Sequence, residues 1–487
     1  MRIRFGIYLL FFFAFAVILS TGCKKEKFLD TGGELRFSVD TLMFDTVFTS
    51  LGSYTASVKI YNPQNQKVSV GSIHLENKNG NTPFIINVNG TSGNAKQIEI
   101  AAKDSIYVFA TVNIDPTAQD NPFVVEDNLV ATLNGKSYSI PFLAYGQNAY
   151  YIVDSTISGD HTWKTDKPYV IIHNAAVNEN STLTIPAGCR VYVHADSRLI
   201  VLGTLKVKGT KQDSVIFQGD RLDRKYFGNE GYPGEWGGIY FTSSSRNNEI
   251  DYAILKNVGN STRLGESTFV PAAIQINYDT IAQSPNVDFY QLRISNTIIE
   301  NSIGYGILAF GSTLKATNCL INTCGAQCMA AFEGGRYDLD NCTFVTYGTN
   351  KVSHIDNPVM ALLNYRDISN TAYVAGPLYC ELNNCVIWGS LETEFLAQAR
   401  GDNTFEDTFA VRINNCLIKN KDGVPVGVIA DQCKVNEDPM FTDHNAWDYR
   451  PAAGSPLINA GRPIPGITAD LDGKARDGQP DIGCYEH

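Results

Sequence analysis

One pattern occurs in both Ala316-Thr317-Asn318-Cys319-Leu320-Ile321 and Leu339-Asp340-Asn341-Cys342-Thr343-Phe344, with its asparagines 23 residues apart. The same asparagine recurs at three further positions, Asn296, Asn384 and Asn415. The successive steps are 22, 23, 43 and 31 residues, and we interpret 43 as two turns and 31 as one turn plus a loop. Tyr252, 44 residues before Asn296, then stands two turns earlier. A recurring period near 22 predicts a solenoid.

The residue types suit the bends of such a solenoid. Asparagine tolerates the left-handed backbone conformation, and its amide is able to bond to its neighbour one coil away. The next residue points inward, so Cys319, Cys342, Cys385 and Cys416 are expected to stack as small hydrophobes. Ten cysteines besides Cys23 would also suit a disulfide framework. Their place in the repeat favours free thiols instead.

Very short strands extend the pattern upstream, as in Leu199–Thr210, where apolar alternation is broken by glycine. From about residue 165 to 440 the chain resembles right-handed parallel β-helix proteins related to pectate lyases and polygalacturonases. Trp236-Gly237-Gly238-Ile239 resembles a coil start in bacterial members. We therefore predict an all-β chain with a right-handed parallel β-helix over 149–450.

The last segment, 451–487, contains Ser455-Pro456-Leu457-Ile458-Asn459-Ala460-Gly461 and Pro480-Asp481-Ile482-Gly483-Cys484-Tyr485-Glu486. It resembles the terminal segment of many secreted bacterial β-helix proteins. A solenoid needs a cap over the open edge and apolar face of its last coil. We expect this segment to be that C-terminal cap.

Residues 35–148 show short alternating segments separated by turns such as Asn134-Gly135. They predict a β-sandwich. Thr41–Phe48 and Ala144-Tyr145-Gly146-Gln147 resemble the opening and closing segments of immunoglobulin-like domains in lipoproteins of Bacteroidota bacteria.

The N-terminus has the character of an export signal. Arg2 and Arg4 precede fifteen uncharged, mostly apolar residues, Phe5–Leu19, which suit a signal peptide over 1–22. Leu19-Ser20-Thr21-Gly22-Cys23 resembles a bacterial lipobox, which implies acylation of Cys23, a tether over 23–34 and a lipid bilayer as partner. Lys24 and Lys25 favour the outer membrane, and its periplasmic and outer faces both stay open.

The charge narrows the choice of partners. The formal net charge is -11, which argues against nucleic acid because binding polyphosphate needs a cationic face. A glycan or an envelope protein is the expected partner.

The candidate catalytic and sugar-stacking residues lie close together in one stretch of the predicted β-helix region. Asp220, Asp223 and Arg224 are the candidate catalytic groups, and Tyr232 and Trp236 are candidates for stacking on a sugar. An exposed charged loop with Trp236 packed in the core is the alternative.

Metal and cofactor signals are weak. Asp470 and Asp472 stand in a stretch that faintly resembles a calcium loop but lacks its full spacing. Apart from that calcium, no cofactor is expected.

Two long insertions, 259–290 and 346–379, interrupt the repeat and bring aromatic residues that either contact a ligand or cover the side of the helix. They are Tyr278, Phe289, Tyr290, Tyr365 and Tyr373. We expect a non-catalytic lipoprotein that binds a partner protein or glycan. The alternative is a polysaccharide lyase or glycoside hydrolase.

Overall fold

The computed structural model describes residues 27–78, 80–118, 122–222, 231–264, 267–278, 289–400 and 409–487. Cys23, Asp223 and Arg224 lie outside these residues. The chain divides after Gln147 into two compact units. No helix in the described ranges has the length and apolar character that a membrane crossing requires.

The first unit is a β-sandwich of two five-stranded sheets, ordered β1-β3-β8-β5-β6 and β2-β10-β9-β4-β7. Apolar residues at every second position explain the sandwich. Val58, Ile60, Val68 and Val70 are spaced in this way and are buried in one core between the sheets. Its strands are β1 (Arg36–Phe37), β2 (Leu42–Phe48), β3 (Ala56–Tyr61), β4 (Val68–Leu75), β5 (Phe84–Val88), β6 (Thr91–Ser92), β7 (Ala95–Ile100), β8 (Ser105–Val112), β9 (Phe123–Leu133) and β10 (Lys136–Gln147).

The second unit is a parallel β-helix whose strands join in one 26-stranded sheet. Its strands and two side hairpins are β11 (Tyr150–Ile157), β12 (His161–Thr162), β13 (Tyr169–Val177), β14 (Thr182–Pro186), β15 (Arg190–Val193), β16 (Arg198–Val201), β17 (Thr204–Lys208), β18 (Val215–Gly219), β19 (Ile239–Phe241), β20 (Asn248–Asp251), β21 (Ala253–Lys256), β22 (Arg263–Leu264), β23 (Ser267–Thr268), β24 (Ala272–Asn277), β25 (Leu292–Ser295), β26 (Ile298–Ser302), β27 (Tyr305–Thr317), β28 (Leu320–Cys324), β29 (Met329–Asp340), β30 (Thr343–Thr346), β31 (Met360–Leu363), β32 (Tyr365–Ser369), β33 (Ala372–Ala375), β34 (Leu378–Asn383), β35 (Val386–Gly389), β36 (Phe395–Gln398), β37 (Phe409–Asn414), β38 (Leu417–Ile418), β39 (Val428–Asp431) and β40 (Lys434–Val435).

The strands stack in three faces. Face A runs through β15, β18, β21, β26, β28, β30, β35, β38 and β40. Face B runs through β16, β19, β24, the first half of β27 and β29, β31 and β36. Face C runs through β14, β17, β20, β25, the second half of β27 and β29, β34, β37 and β39. The side chains that point inward from all three faces form one apolar core.

Two of the sequence intervals were misinterpreted. Ser295 pairs with Asp251 and Asn383 pairs with Asp340, so the steps of 44 and 43 residues each span one coil. Each predicted insertion contains a strand of face B, β24 in 259–290 and β31 in 346–379, and the longer loops beside these strands lengthen the coil without adding another coil. Spacing alone does not distinguish two short coils from one coil with a long loop.

The C-terminal segment covers the solenoid, and it does so along one side. Leu457, Leu471 and Ile482 pack on the outside of face A, against residues that include Val345 and Val386. The segment is preceded by β41 (Phe441–Asp443), a 3-10 turn (His444–Ala446) and β42 (Asp448–Pro451), which ends where the segment begins. It then runs back along the coils, since Ala460 contacts Asn415, Ala469 contacts Asn318 and Leu471 contacts Lys211.

Candidate functional site

Within the described part of the predicted catalytic stretch, Asp220 forms a polar pair with His194. Asp220 ends face A in its coil, and its carboxylate lies 2.6 Å from Nδ1 of His194 one coil earlier. The hydrogen bond to Asp220 raises the pKa of His194. The side chain of Asp220 is 7% exposed, and that of His194 is about half exposed. The pair is a carboxylate-oriented imidazole, which holds a proton but does not by itself form a pocket.

The two aromatic candidates have different environments. Tyr232 is exposed, with the ammonium of Lys351 5.3 Å from its ring centre. Trp236 is fully buried, stacks on Phe217 and donates its indole N–H to the carbonyl of Lys256. The ring of Trp236 therefore belongs to the solenoid core and is not available to a sugar on the surface.

The carboxylates of Asp470 and Asp472 contact different groups. The two oxygens of Asp470 accept the backbone N–H groups of Lys474 and Glu486. Asp472 forms ion pairs with Lys211 and Arg450. Among the described residues, no group of three or more His, Cys, Asp or Glu side chains is arranged to hold a metal ion.

The asparagine column lies at the corner between face C and face A. Asn296, Asn318, Asn341, Asn384 and Asn415 all have positive φ, between 46° and 53°. The amide of Asn318 donates to Asn296 Oδ1, and that of Asn384 donates to Asn341 Oδ1. The C-terminal segment also bonds to side-chain amides of the column. Asn415 donates to the Ala460 carbonyl, and Asn318 Oδ1 accepts from Arg476. The column thus bonds both along itself and to the C-terminal segment.

The cysteine column lies just inside that corner. Cys319, Cys342, Cys385 and Cys416 are fully buried on consecutive coils. Cys433, which the sequence analysis did not include in the column, follows one coil later, and its sulfur accepts the N–H of Cys416. Burial raises the pKa of Cys342 well above its usual value. All ten cysteines of the described residues are free.

A pocket of about 420 Å³ opens beside the asparagine column, between the edge of face C and the C-terminal segment. Its floor comes from corners and strand ends of four consecutive coils of the solenoid, and its opposite wall is the tail loop 464–470. The floor residues are Tyr252, Ser295, Asn296, Lys315, Thr317, Asn318 and Asp340.

The floor of the pocket contributes a carboxyl and an ammonium group, those of Asp340 and Lys315. Burial raises the pKa of the Asp340 carboxyl, although Asn383 donates a hydrogen bond to it at 2.8 Å. Lys315 Nζ lies 3.8 Å from the other carboxylate oxygen of Asp340, and its side chain is 38% exposed. The pocket therefore presents an accessible ammonium beside a carboxyl that holds its proton more tightly than usual.

The tail loop is anchored at both ends. Arg462 exchanges backbone hydrogen bonds with the Asn384 side chain, and the Ala469 carbonyl accepts from Asn318. Thr468 is held by the N–H of Arg476. The wall is consequently tied to the same asparagines that shape the floor.

The sequence analysis identified individual residues of this pocket but did not predict that they lie together. Tyr252 was recognised as the residue that takes the asparagine position, and it has a positive φ of 45°. Asp340 was seen only as the residue before Asn341. The wall lies more than 120 residues beyond the floor, so no local pattern signals that the two meet.

The insertion aromatics are divided between surface and interior. Tyr278 and Tyr373 are exposed at 41% and 38%, and the guanidinium of Arg400 lies 4.6 Å from the ring centre of Tyr373. Tyr290 is buried and its hydroxyl bonds to Asp338. Phe289 lines a second, smaller cavity of about 190 Å³ on face C.

Comparison with known proteins gives no family. No protein-family model matches the chain, and no curated protein matches it. Among solved structures, the Vibrio cholerae VesB protease is 10% identical over 23% of this chain and 31% of that chain, with a TM-score of 0.18. This chain thus spans less than a third of that protein.

Two further solved structures are similar in part. A PapD-like domain of human CEP192 is 11% identical, covering 26% of this chain and 92% of that chain, with a TM-score of 0.18. The catalytic domain of a GH87 alpha-1,3-glucanase is 9% identical, covering 78% of this chain and 86% of that chain, with a TM-score of 0.19. At TM-scores this low, no argument about fold or function rests on these likenesses.

Proposed function

We propose that this chain is a non-catalytic envelope lipoprotein that binds a glycan through the outer surface of its β-helix. The observation that carries the proposal is the pocket between the asparagine column and the tail loop 464–470. Its volume of about 420 Å³ lies in the range of small-ligand sites, roughly 300–1,000 Å³.

The chemistry of the lining favours a sugar over a protein surface. Ser295 and Thr317 supply hydroxyls, Asn296 supplies an amide, and Tyr252 supplies a half-buried ring. Such groups match the hydroxyls and the apolar C–H face of a pyranose. A protein partner would instead be expected to use a broad, flatter area with a buried apolar centre.

Glycan binding is tested by screening the purified chain on a glycan array and titrating the best ligand by calorimetry. Tyr252→Asn is the sharpest variant, because asparagine fits the positive φ while the aromatic ring of the floor is lost. We expect Tyr252→Asn and Lys315→Gln each to weaken binding by roughly tenfold or more, equivalent to about 1.4 kcal/mol.

The matched control is Lys208→Gln, which removes an exposed lysine from the same face outside the pocket. It is expected to leave the affinity unchanged. Equal loss in all three variants, or no glycan bound by the unaltered chain, would contradict the proposal.

The envelope location rests on the N-terminal sequence. We infer that the lipid on Cys23 anchors the chain in the outer membrane, because several acyl chains hold a protein stably on a bilayer. Labelled palmitate is expected to be incorporated into the unaltered chain and not into Cys23→Ala. Membrane fractionation tests the choice of bilayer, and protease treatment of intact cells distinguishes its two faces.

A second candidate, a glycan hydrolase or lyase, is favoured by one observation. The raised pKa of the Asp340 carboxyl is what a general acid requires. The other carboxyl in the lining, Asp470, already accepts two backbone N–H groups. New reducing ends or unsaturated products that disappear in Asp340→Asn would establish this candidate and overturn the non-catalytic one. The Asp220→Asn variant tests the surface pair with His194 in the same screen.

A further inference from the structure

The last coil of the β-helix leaves its core side chains partly open. Val411, Cys416 and Ile418 point inward in the coil before it and are 0% exposed. Their counterparts in the last coil, Val428, Cys433 and Val435, point to the same core but are only partly buried. The C-terminal segment packs along the side of the solenoid and does not cover these residues fully.

The strand of this coil is also an open edge. β39 pairs with β37 on one side, and within the described ranges no strand ladder forms on its other side. Unpaired backbone donors and acceptors on an edge are a template for another strand. Ile429 is 54% exposed on this strand, and the neighbouring Val426 is 97% exposed.

The size of the open area points to its occupant. A single extended peptide would pair with β39 and leave the half-buried core residues uncovered. Another coil end would cover both, and a second copy of this chain has one of matching cross-section. Antiparallel pairing about Ala430 sets Ala430 opposite its symmetry mate and Ile429 opposite Asp431, which keeps inward residues inward.

Two lysines near the open end are paired within one copy. Lys421 and Lys434 near the open end form ion pairs with Glu392 and Glu437. Two-fold contacts between identical patches are also the commonest way for a soluble chain to associate. We propose that the C-terminal ends of two β-helices stack about a two-fold axis, with β39 of one copy pairing with β39 of the other.

The first experiment is sedimentation velocity of the full chain in a mild detergent over a concentration series. We expect a reversible dimer, weakened roughly tenfold or more by Ile429→Asp because a charge replaces buried apolar area. The matched control is Ile355→Asp, at a side chain that is 72% exposed elsewhere on the β-helix. It is expected to leave the dimer unchanged, and thermal melting of both variants checks that each is folded.

The second experiment keeps the chain in its native membrane. Ala430→Cys is expected to give a covalent dimer with a short bis-maleimide, above the level of the unaltered chain, and adding Ile429→Asp is expected to abolish it. A monomer at every concentration, together with no cross-link at Ala430→Cys, overturns the proposal and leaves the edge to an extended strand of another protein. A dimer that Ile429→Asp leaves intact overturns it equally.

Discussion

Arg476 provides a test of how the C-terminal segment is held on the solenoid. Its side chain is 3% exposed and forms an ion pair at 2.5 Å with Glu486, which is 8% exposed. The same guanidinium donates to Asn318 Oδ1 at 3.1 Å and to the Gly483 carbonyl at 2.9 Å. Burial raises the pKa of the Glu486 carboxyl, and Arg476 opposes that rise.

Replacing Arg476 by methionine keeps much of the volume and removes every one of these donors. The change leaves a buried carboxylate without its counter-ion, for which the loss is about 3–5 kcal/mol. An exposed pair contributes about 0–1 kcal/mol. Arg450, with its side chain 48% exposed and paired with Asp448 and Asp472, is therefore the matched control.

The assay is urea unfolding followed by tryptophan fluorescence, with limited proteolysis to detect release of the tail. We expect Arg476→Met to lower the free energy of unfolding by about 3–5 kcal/mol and Arg450→Met by less than about 1 kcal/mol. Adding Glu486→Gln to Arg476→Met is expected to recover most of the loss, because the uncompensated charge is gone. Equal effects of the two single variants, or no recovery in the double variant, would refute the reasoning.

Three further predictions concern the corner residues. The pKa of His194 is raised by Asp220, so this contact stabilises the fold fully below about pH 6.5, the unfolded value. Its contribution is lost as pH rises through the folded pKa, and the unfolding difference from His194→Gln is expected to shrink accordingly; a difference independent of pH would contradict this. Asn384 has φ of 53°, so Asn384→Ala is expected to cost about 1 kcal/mol more than Asn384→Gly in the same denaturation assay; equal costs would remove the backbone argument. Among the described cysteines only Cys433 is not fully buried, so a thiol reagent followed by mass spectrometry is expected to modify it before any other; early labelling of Cys416 would be inconsistent with the column.

Much of the fold follows from local pattern. Asn318 and Asn341 predict corners with a left-handed backbone, because asparagine tolerates that conformation. The cysteine after each one is small and apolar enough to stack inside the corner. Both properties belong to single residues. Their recurrence at a regular spacing can therefore be recognised in the sequence, and it predicts the parallel β-helix.

Other features depended on where distant parts of the chain meet. The number of coils was misjudged because the loops beside β31, within 346–379, lengthen one coil without adding another. Trp236 was considered for a sugar because its neighbours are charged, yet stacking on Phe217 buries it. Whether a hydrophobic side chain among charged neighbours lies on the surface or in the core depends on its tertiary packing.

The amino-acid sequence by itself determined the all-β character, the solenoid repeat and the conformation of its corners, because each arises from residues close together in the chain. The tertiary structure alone decided the route of the C-terminal segment, the pocket at Tyr252 and Asp340, and the open last coil. The contact between Lys211 and Asp472 joins residues 261 positions apart. Such contacts depend on the shape of the whole folded surface, and no local preference of either residue specifies them.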